Sequence, residues 1–307
     1  MGVKRKIERI IGAFKGEKIL GVSHYGWYGS DWLARFVLAW CDKQKVKQKL
    51  GFYSVFQPHW ALRLHKNQKK VFFTGENVHR YKNYEDSALP FVDLSLGFDD
   101  LPDSNYLRFP LWILYLFAPT DTPEQIRQKC ADINAHHPQK TKFASLIARK
   151  DSVDGLRGEI FNAVNKIAPV SAAGRLFHND DDLWTKYNNC KIAYLSDFQF
   201  SICPENTNNA GYVTEKLFES FLAGAVPIYW GSDNAPEKGL VNENAIIFWD
   251  KGGDNAKALE TIERLYKDKK AYDEFVHQPR FNDAMADFVI NRFDELKRRL
   301  NEILELQ

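Results

Sequence analysis

Short apolar runs alternate along this chain with apolar stripes of helical period. Residues 18–22, 52–56, 70–73, 91–96, 106–111, 142–148, 226–230 and 245–249 are mostly apolar and are bounded by turn-forming or charged residues, which predicts buried strands. Apolar residues spaced three and four apart predict helices over 31–48, 123–134, 156–166, 183–189, 254–267 and 271–277. A long amphipathic helix over 283–306 carries Phe288, Phe293, Leu296, Leu300 and Leu304 on one face. Thr122 precedes Pro123 as a helix cap followed by proline at the first position. Strands alternating with helices predict parallel sheets in an α/β protein. His136, His137 and Pro138 break the pattern. That break predicts a domain over 1–138, a second over 139–285, and a terminal helix over 286–307 that packs back on the body.

One stretch concentrates the chemistry. Phe200, Ile202 and Cys203 form an apolar run that stops at Pro204, and 205–211 supplies asparagine and glycine with no period. A helix then begins, with Val213, Leu217, Phe218, Phe221 and Leu222 along one face. Gly224 ends it, and the next strand follows. Tyr212, Thr214, Glu215 and Lys216 fall in its first turn, where backbone N–H groups lack intrahelical partners and the dipole favours an anion. Lys216 is therefore either the counterpart of a bound anion such as phosphate or a solvated lysine beside Glu215. Strand, loop and helix N-terminus is how open α/β sheets hold phosphates. Arg157 lies in the first turn of another helix, where a guanidinium can grip a diphosphate with two hydrogen bonds or simply face water. Arg149, at a strand end, is a weaker candidate.

Composition narrows the classes. The 307 residues suffice for two domains, and 44% hydrophobic content with 22 Phe, 13 Tyr and 8 Trp belongs to a folded chain. A net charge of +2 from 42 basic and 40 acidic residues gives no electrostatic case for nucleic acid. Cys41, Cys130, Cys190 and Cys203 are widely spaced without a CxxC, as expected of reduced thiols in a cytoplasmic protein and not of a metal site. The start, MGVKRKIERIIGAFKGEK, has no spanning apolar run. Ile7, Ile10, Ile11 and Phe14 share a face opposite basic residues, which allows either weak peripheral attachment to an anionic membrane surface or packing on the chain's own domain.

Two further places invite a ligand. The loop 23–29, SHYGWYG, follows the first predicted strand, and His24, Tyr25, Trp27 and Tyr28 can stack on a sugar ring or fold onto the domain. Glu76 and Asn77 follow the strand 70–73 beside Gly75. A carboxylate at a strand end suits general base work, although turn duty is the commoner use.

The run PENTNNAGYVTEKLFESFLAGAVPIYWG resembles the signature of the bacterial α-1,3/4-fucosyltransferases, glycosyltransferase family 10. FFTGEN, SLGFDDL, YLRFPL and KFASLIARK, earlier in the chain, appear in the same order as in that family, so the correspondence covers about 71–230. The resemblance implies two Rossmann-like α/β domains facing across a cleft, the GT-B type, with the acceptor on the first and the donor on the second. It implies an inverting transfer of L-fucose from GDP-fucose to a hydroxyl of GlcNAc or Glc in a lactosamine-type glycan. The linkage would be α-1,3 or α-1,4, the product of Lewis-antigen type as on bacterial lipopolysaccharide, and no cofactor would be required. By the same resemblance Glu76 is the base that deprotonates the acceptor. Arg157 and Lys216 hold the diphosphate, Glu215 interacts with the ribose or the sugar cation, and Asn206, Tyr212, Val213 and Thr214 shape the donor pocket. His24, Tyr25, Trp27, Tyr28 and Asn77 are the weaker acceptor-side set. Asn179 to Asp182 resembles the Asp-x-Asp metal motif of the other major glycosyltransferase fold, but acids also begin helices, and that simpler reading is preferred. The alternatives are a GT-B enzyme using another nucleotide sugar, or a nucleotide- or glycan-binding protein without turnover.

Overall fold

The computed structural model describes residues 14–26, 30–151 and 153–305. The chain divides into two compact units, 1–124 with 289–307 and 125–288. The first holds a six-stranded sheet in the order β1 (Glu17–Ile19), β2 (Val22–Tyr25), β3 (Leu50–Tyr53), β4 (Lys69–Phe73), β5 (Leu94–Gly97), β6 (Tyr106–Arg108). Only β1 runs antiparallel to its neighbour. Strands β2, β3 and β5 are buried at every position, as parallel strands covered on both faces must be. The predicted single strand over 18–22 is a hairpin instead. Leu20 and Gly21 take positive φ of 53° and 85°, the pair of left-handed residues that a tight two-residue turn requires.

The predicted helix over 31–48 is two, Trp32–Trp40 and Lys43–Lys49. Asp42 separates them by capping the second, its Oδ1 accepting from the amides of Gln44 at 2.8 Å and Lys45 at 3.0 Å. The terminal helix Ala284–Glu305 joins this unit over its later turns. Phe293 packs edge-on against Phe36 with ring centroids 5.5 Å apart, and Arg299 Nη1 donates to the Tyr106 carbonyl at 2.7 Å.

The second unit holds an all-parallel sheet in the order β11 (Ile247–Phe248), β10 (Val226–Tyr229), β9 (Phe198–Ile202), β7 (Lys142–Leu146), β8 (Val170–Ala172). From β7 the chain goes to one side for β8 and returns to the other for β9. The order therefore reverses between β7 and β9, and it is outside the carboxyl ends of such strands that open sheets place their ligands. Strand β8 escapes the apolar pattern because it is three residues long.

The helix Pro123–Ala135 belongs to this unit, so the division falls nearer residue 124 than the predicted 138. Asn134 is the reason: its Oδ1 accepts from the amides of Arg280 and Phe281, both at 2.8 Å. The helix Glu215–Leu222 buries Leu217, Phe218 and Phe221 completely, with Phe281 against both phenylalanines at 6.0 and 5.9 Å. Each such side chain contributes about 1.5–3 kcal/mol by leaving water. Phe218→Ala, which adds a cavity to the lost transfer energy, is expected to destabilise the protein by about 3–5 kcal/mol, read as a lower urea midpoint; an unshifted midpoint would show that this helix is not anchored as described.

Candidate active site

Where β9 ends, the backbone amide of Glu205 donates to the Trp230 carbonyl at 2.8 Å, which carries the pairing with β10 past the last strand residue. The chain then loops out and is tied to the turn after β10. Gly211 N–H donates to Ser232 Oγ at 3.0 Å, and Asn208 bonds Asp233 through its amide in both directions, at 2.6 and 2.7 Å. The loop delivers Thr214 to the N-cap of the helix Glu215–Leu222. Its hydroxyl does not cap the helix amides; it donates to Glu205 Oε2 at 2.6 Å while its N–H donates to Oε1 at 2.7 Å. Lys216 Nζ donates to Thr214 Oγ1 at 2.7 Å and to Glu205 Oε2 at 3.1 Å, and Glu215 Oε1 lies 3.7 Å away.

These charges fix their own protonation states. Burial alone would lower the Lys216 pKa, but Glu205 and Glu215 outweigh it and raise it, so Lys216 is a cation. Burial alone would raise that of Glu215, but Lys216, its own amide and Lys191 bring it below the ordinary value, so Glu215 is ionised.

Arg157 comes from the other side of the switch point. Asp151 caps its helix, Leu156–Val164, by accepting from the Arg157 amide at 2.9 Å. Its guanidinium is buried and donates through Nη1 to the Lys150 carbonyl and through Nη2 to Asn206 Oδ1, both at 2.8 Å.

Arg149, Arg157, Asn206, Glu215 and Lys216 line one cavity of about 210 Å³ at the carboxyl ends of β7 and β9. Lys191 and Glu219, which the sequence did not single out, complete its charged wall, with Lys191 Nζ 3.1 Å from Glu219 Oε1. Tyr212, Val213 and Thr214 are buried, 1–2% exposed. Four cations and two carboxylates around a small cavity suit an anion with hydroxyl groups, which a nucleoside diphosphate sugar provides.

In the first unit Glu76 follows β4, half-buried, its amide bonded to Thr74 Oγ1 at 3.0 Å. Asn77 is buried, and its Oδ1 accepts from the His79 amide at 3.1 Å, capping the short turn Val78–Arg80. His24 and Tyr25 are not loop residues. They belong to β2, 1% and 4% exposed, with His24 stacked on Phe52 at 5.1 Å and Tyr25 on Tyr53 at 4.5 Å. The strand runs three residues further than the pattern predicts because those rings pack into the sheet core. Trp27 and Tyr28 lie outside the described residues, as do Ile7, Ile10 and Ile11. The cavity that does open here, about 380 Å³, is lined by Ser54, Phe56, Thr74, Gly75, Leu111 and Tyr115, among others, and Tyr115 is 54% exposed.

Asp182 bonds Lys142 at 2.7 Å, Asp180 caps the amide of Asp182 at 2.8 Å, and Asp181 meets His178 at 2.9 Å. The acid run thus starts a helix, and two of its carboxylates face Lys142. Among the described residues no three His, Cys, Asp or Glu side chains are grouped to hold a metal, and no helix is long and apolar enough to cross a membrane.

The sequence profile of the glycosyltransferase family 10 (fucosyltransferase) C-terminal region matches residues 137–292, which contain the whole charged cavity. The chain belongs to glycosyltransferase family 10. The profile of the α-(1,3)-fucosyltransferase FucT N-terminal domain matches residues 32–115. Among relatives, the α-(1,3)-fucosyltransferase FucT of Helicobacter pylori is 30% identical over 235 residues, 66% of this chain and 47% of that protein. An α-(1,4)-fucosyltransferase of Arabidopsis thaliana is 34% identical over 98 residues, 32% of this chain and 23% of that protein. The chain thus spans about half, or less, of the length of these relatives. A crystal structure of an α1,3-fucosyltransferase superposes with a TM-score of 0.64 at 24% identity, covering 96% of this chain and 94% of that one. Another, with GDP-fucose, gives 0.57 at 24%, covering 84% and 78%. The fold is that of these family members, the GT-B type.

The burial of His24 makes a measurable demand. Burial pulls its pKa from 6.5 to about 4 despite the bond to the Val22 carbonyl. Between those values the unfolded chain holds a proton that the folded chain refuses, so stability falls as pH drops from 6.5 to 4 by roughly 1.4 kcal/mol per unit for this group. Urea midpoints at pH 7 and 4.5 are expected to converge in His24→Leu relative to the unaltered protein; an equal loss in both would place His24 in water.

Proposed function

We propose that this protein transfers L-fucose from GDP-fucose to a hydroxyl of GlcNAc or Glc in a lactosamine-type glycan, with inversion and an α-1,3 or α-1,4 linkage. The observation that carries the reading is the cavity at the β7/β9 switch point, where Arg157, Asn206, Glu215 and Lys216 converge. The solved relative with GDP-fucose supports the same donor.

The mechanism follows from charge. As the C–O bond to the diphosphate breaks, positive charge grows on the anomeric carbon and ring oxygen of fucose, and negative charge grows on the leaving phosphate. Lys216 and Arg157, fixed before the substrate arrives, stabilise that negative charge without having to reorganise. Glu215, ionised, stabilises the sugar cation or holds the ribose. Asn206 fixes the Arg157 fork, and Tyr212 and Val213, buried where the loop returns to the helix, shape the nucleotide pocket. Glu76 takes the proton of the acceptor hydroxyl as it attacks. The acceptor's apolar sugar face rests on Tyr115 at the cavity in the first unit. The donor is GDP-fucose, and no resident cofactor is assigned.

Three variants test this with GDP-fucose and a panel of lactosamine-type and type 1 oligosaccharides. Glu76→Ala is expected to lower kcat by about 10²–10⁴-fold with little change in GDP affinity. Lys216→Ala is expected to lower kcat about 10²–10³-fold and to raise the donor KM as well. Tyr115→Ala is expected to raise the acceptor KM alone. Full activity in the first two, or turnover of a different nucleotide sugar in preference to GDP-fucose, would contradict the assignment.

A further inference from the structure

Glu205 has 0% exposure, yet its two carboxylate oxygens meet three donors, the Thr214 amide, the Thr214 hydroxyl and the Lys216 ammonium. A carboxylate removed from water is costly unless it is paired and hydrogen-bonded, and here it is both. We propose that Glu205 is the positioning residue of the donor site, holding the Lys216 ammonium in place for the leaving diphosphate without itself touching substrate. The proposal rests on the donor reading above.

Four observations lead to it. First, Glu205 is fixed from both ends: its amide bonds Trp230, and its Cβ and Cγ lie so close to Gly231 that a Cβ there would come within 2.8 and 2.7 Å of them. Second, Thr214 occupies the N-cap of the helix but turns its hydroxyl away from the helix amides, the ordinary targets of a capping threonine. That hydroxyl relays instead, accepting from Lys216 Nζ at 2.7 Å and donating to Glu205 at 2.6 Å. Third, a lysine in the first turn of a helix is opposed by the dipole, and a buried anion at that end offsets the opposition. Fourth, Glu205 is absent from the cavity wall while Lys216 is part of it. The carboxylate therefore stands behind the cation, on the side away from the ligand.

The arrangement has an opposite effect on ground state and transition state. A negative charge behind Lys216 weakens its attraction for the bound diphosphate, while restraining the ammonium keeps it aligned with the charge that develops as fucose leaves. A residue that only stabilised the loop would show neither signature.

Glu205→Gln, which keeps an acceptor for the Thr214 amide and removes the charge, tests this. In the folded variant, checked by its melting transition, the Lys216 titration followed by NMR with 13C-labelled lysine is expected to move at least one pH unit lower. With GDP-fucose, kcat is expected to fall at least tenfold while the donor KM stays level or drops. Thr214→Val, which removes the relay and leaves the direct 3.1 Å contact, is expected to move the Lys216 titration less. An unchanged Lys216 titration, or kcat within twofold of the unaltered enzyme, would overturn the proposal. If Glu205→Gln does not fold, Glu205→Asp is read instead: the charge is kept but drawn back by a methylene, so kcat falls tenfold with the titration little moved, and full kcat overturns the proposal. Should the unaltered protein show no turnover of GDP-fucose and no binding of GDP, the donor reading fails, and the Lys216 titration in Glu205→Gln alone decides whether Glu205 holds that ammonium.

Discussion

A cation at the amino end of a helix is the constraint on which this site depends. The helix dipole opposes it, burial opposes it, and it persists because two carboxylates lie within 4 Å of Lys216 Nζ. Much of the local architecture follows from meeting that requirement. The asparagine- and glycine-rich loop brings Thr214 back under the end of β9, Gly231 leaves room for Glu205, and the fully buried face of Leu217, Phe218 and Phe221 holds the helix so that its first turn cannot drift.

The sheet supplies the second half of the site from a distant part of the sequence. Residues 146–157 and 201–219 meet because β7 and β9 are neighbours although β8 lies between them in the chain. The reversal of strand order leaves the carboxyl ends of those two strands open, with a helix starting beyond each. Arg157 and Lys216 are thus one from each side of the crevice, each on the first turn of a helix whose later turns are buried in the core. Rigid elements of this kind keep charged groups in place before a ligand arrives, which is what electrostatic stabilisation of a leaving group needs.

The parts of this that the sequence made legible were those with a period or a strong local chemistry. The amphipathic helix after Gly211, the strands at β4, β7 and β10, and the cationic first turns at Arg157 and Lys216 all declare themselves through residue type and spacing. The parts that were hidden needed knowledge of what lies across the fold. His24 and Tyr25 look like loop aromatics next to glycines, but Phe52 and Tyr53 wait beside them in the next strand and draw them into the core. Glu205 next to Pro204 looks like a turn residue, and only the return of the chain at Thr214 and Lys216 shows that it is surrounded by donors. Lys191 and Glu219 are ordinary helix residues in sequence; their meeting at 3.1 Å on the cavity wall comes from the packing of two short helices. The break at Asp42 carried a local signal, a capping residue in mid-stripe, that the apolar period masked.

The most direct measurement is a crystal structure of the protein with GDP bound. The two phosphates are expected in the cavity at the ends of β7 and β9, with their oxygens within hydrogen-bonding distance of Lys216 Nζ and the Arg157 guanidinium and with Glu205 still bonded to Thr214. Phosphates settled anywhere else, with Lys216 and Arg157 left as they are in the free protein, would contradict it.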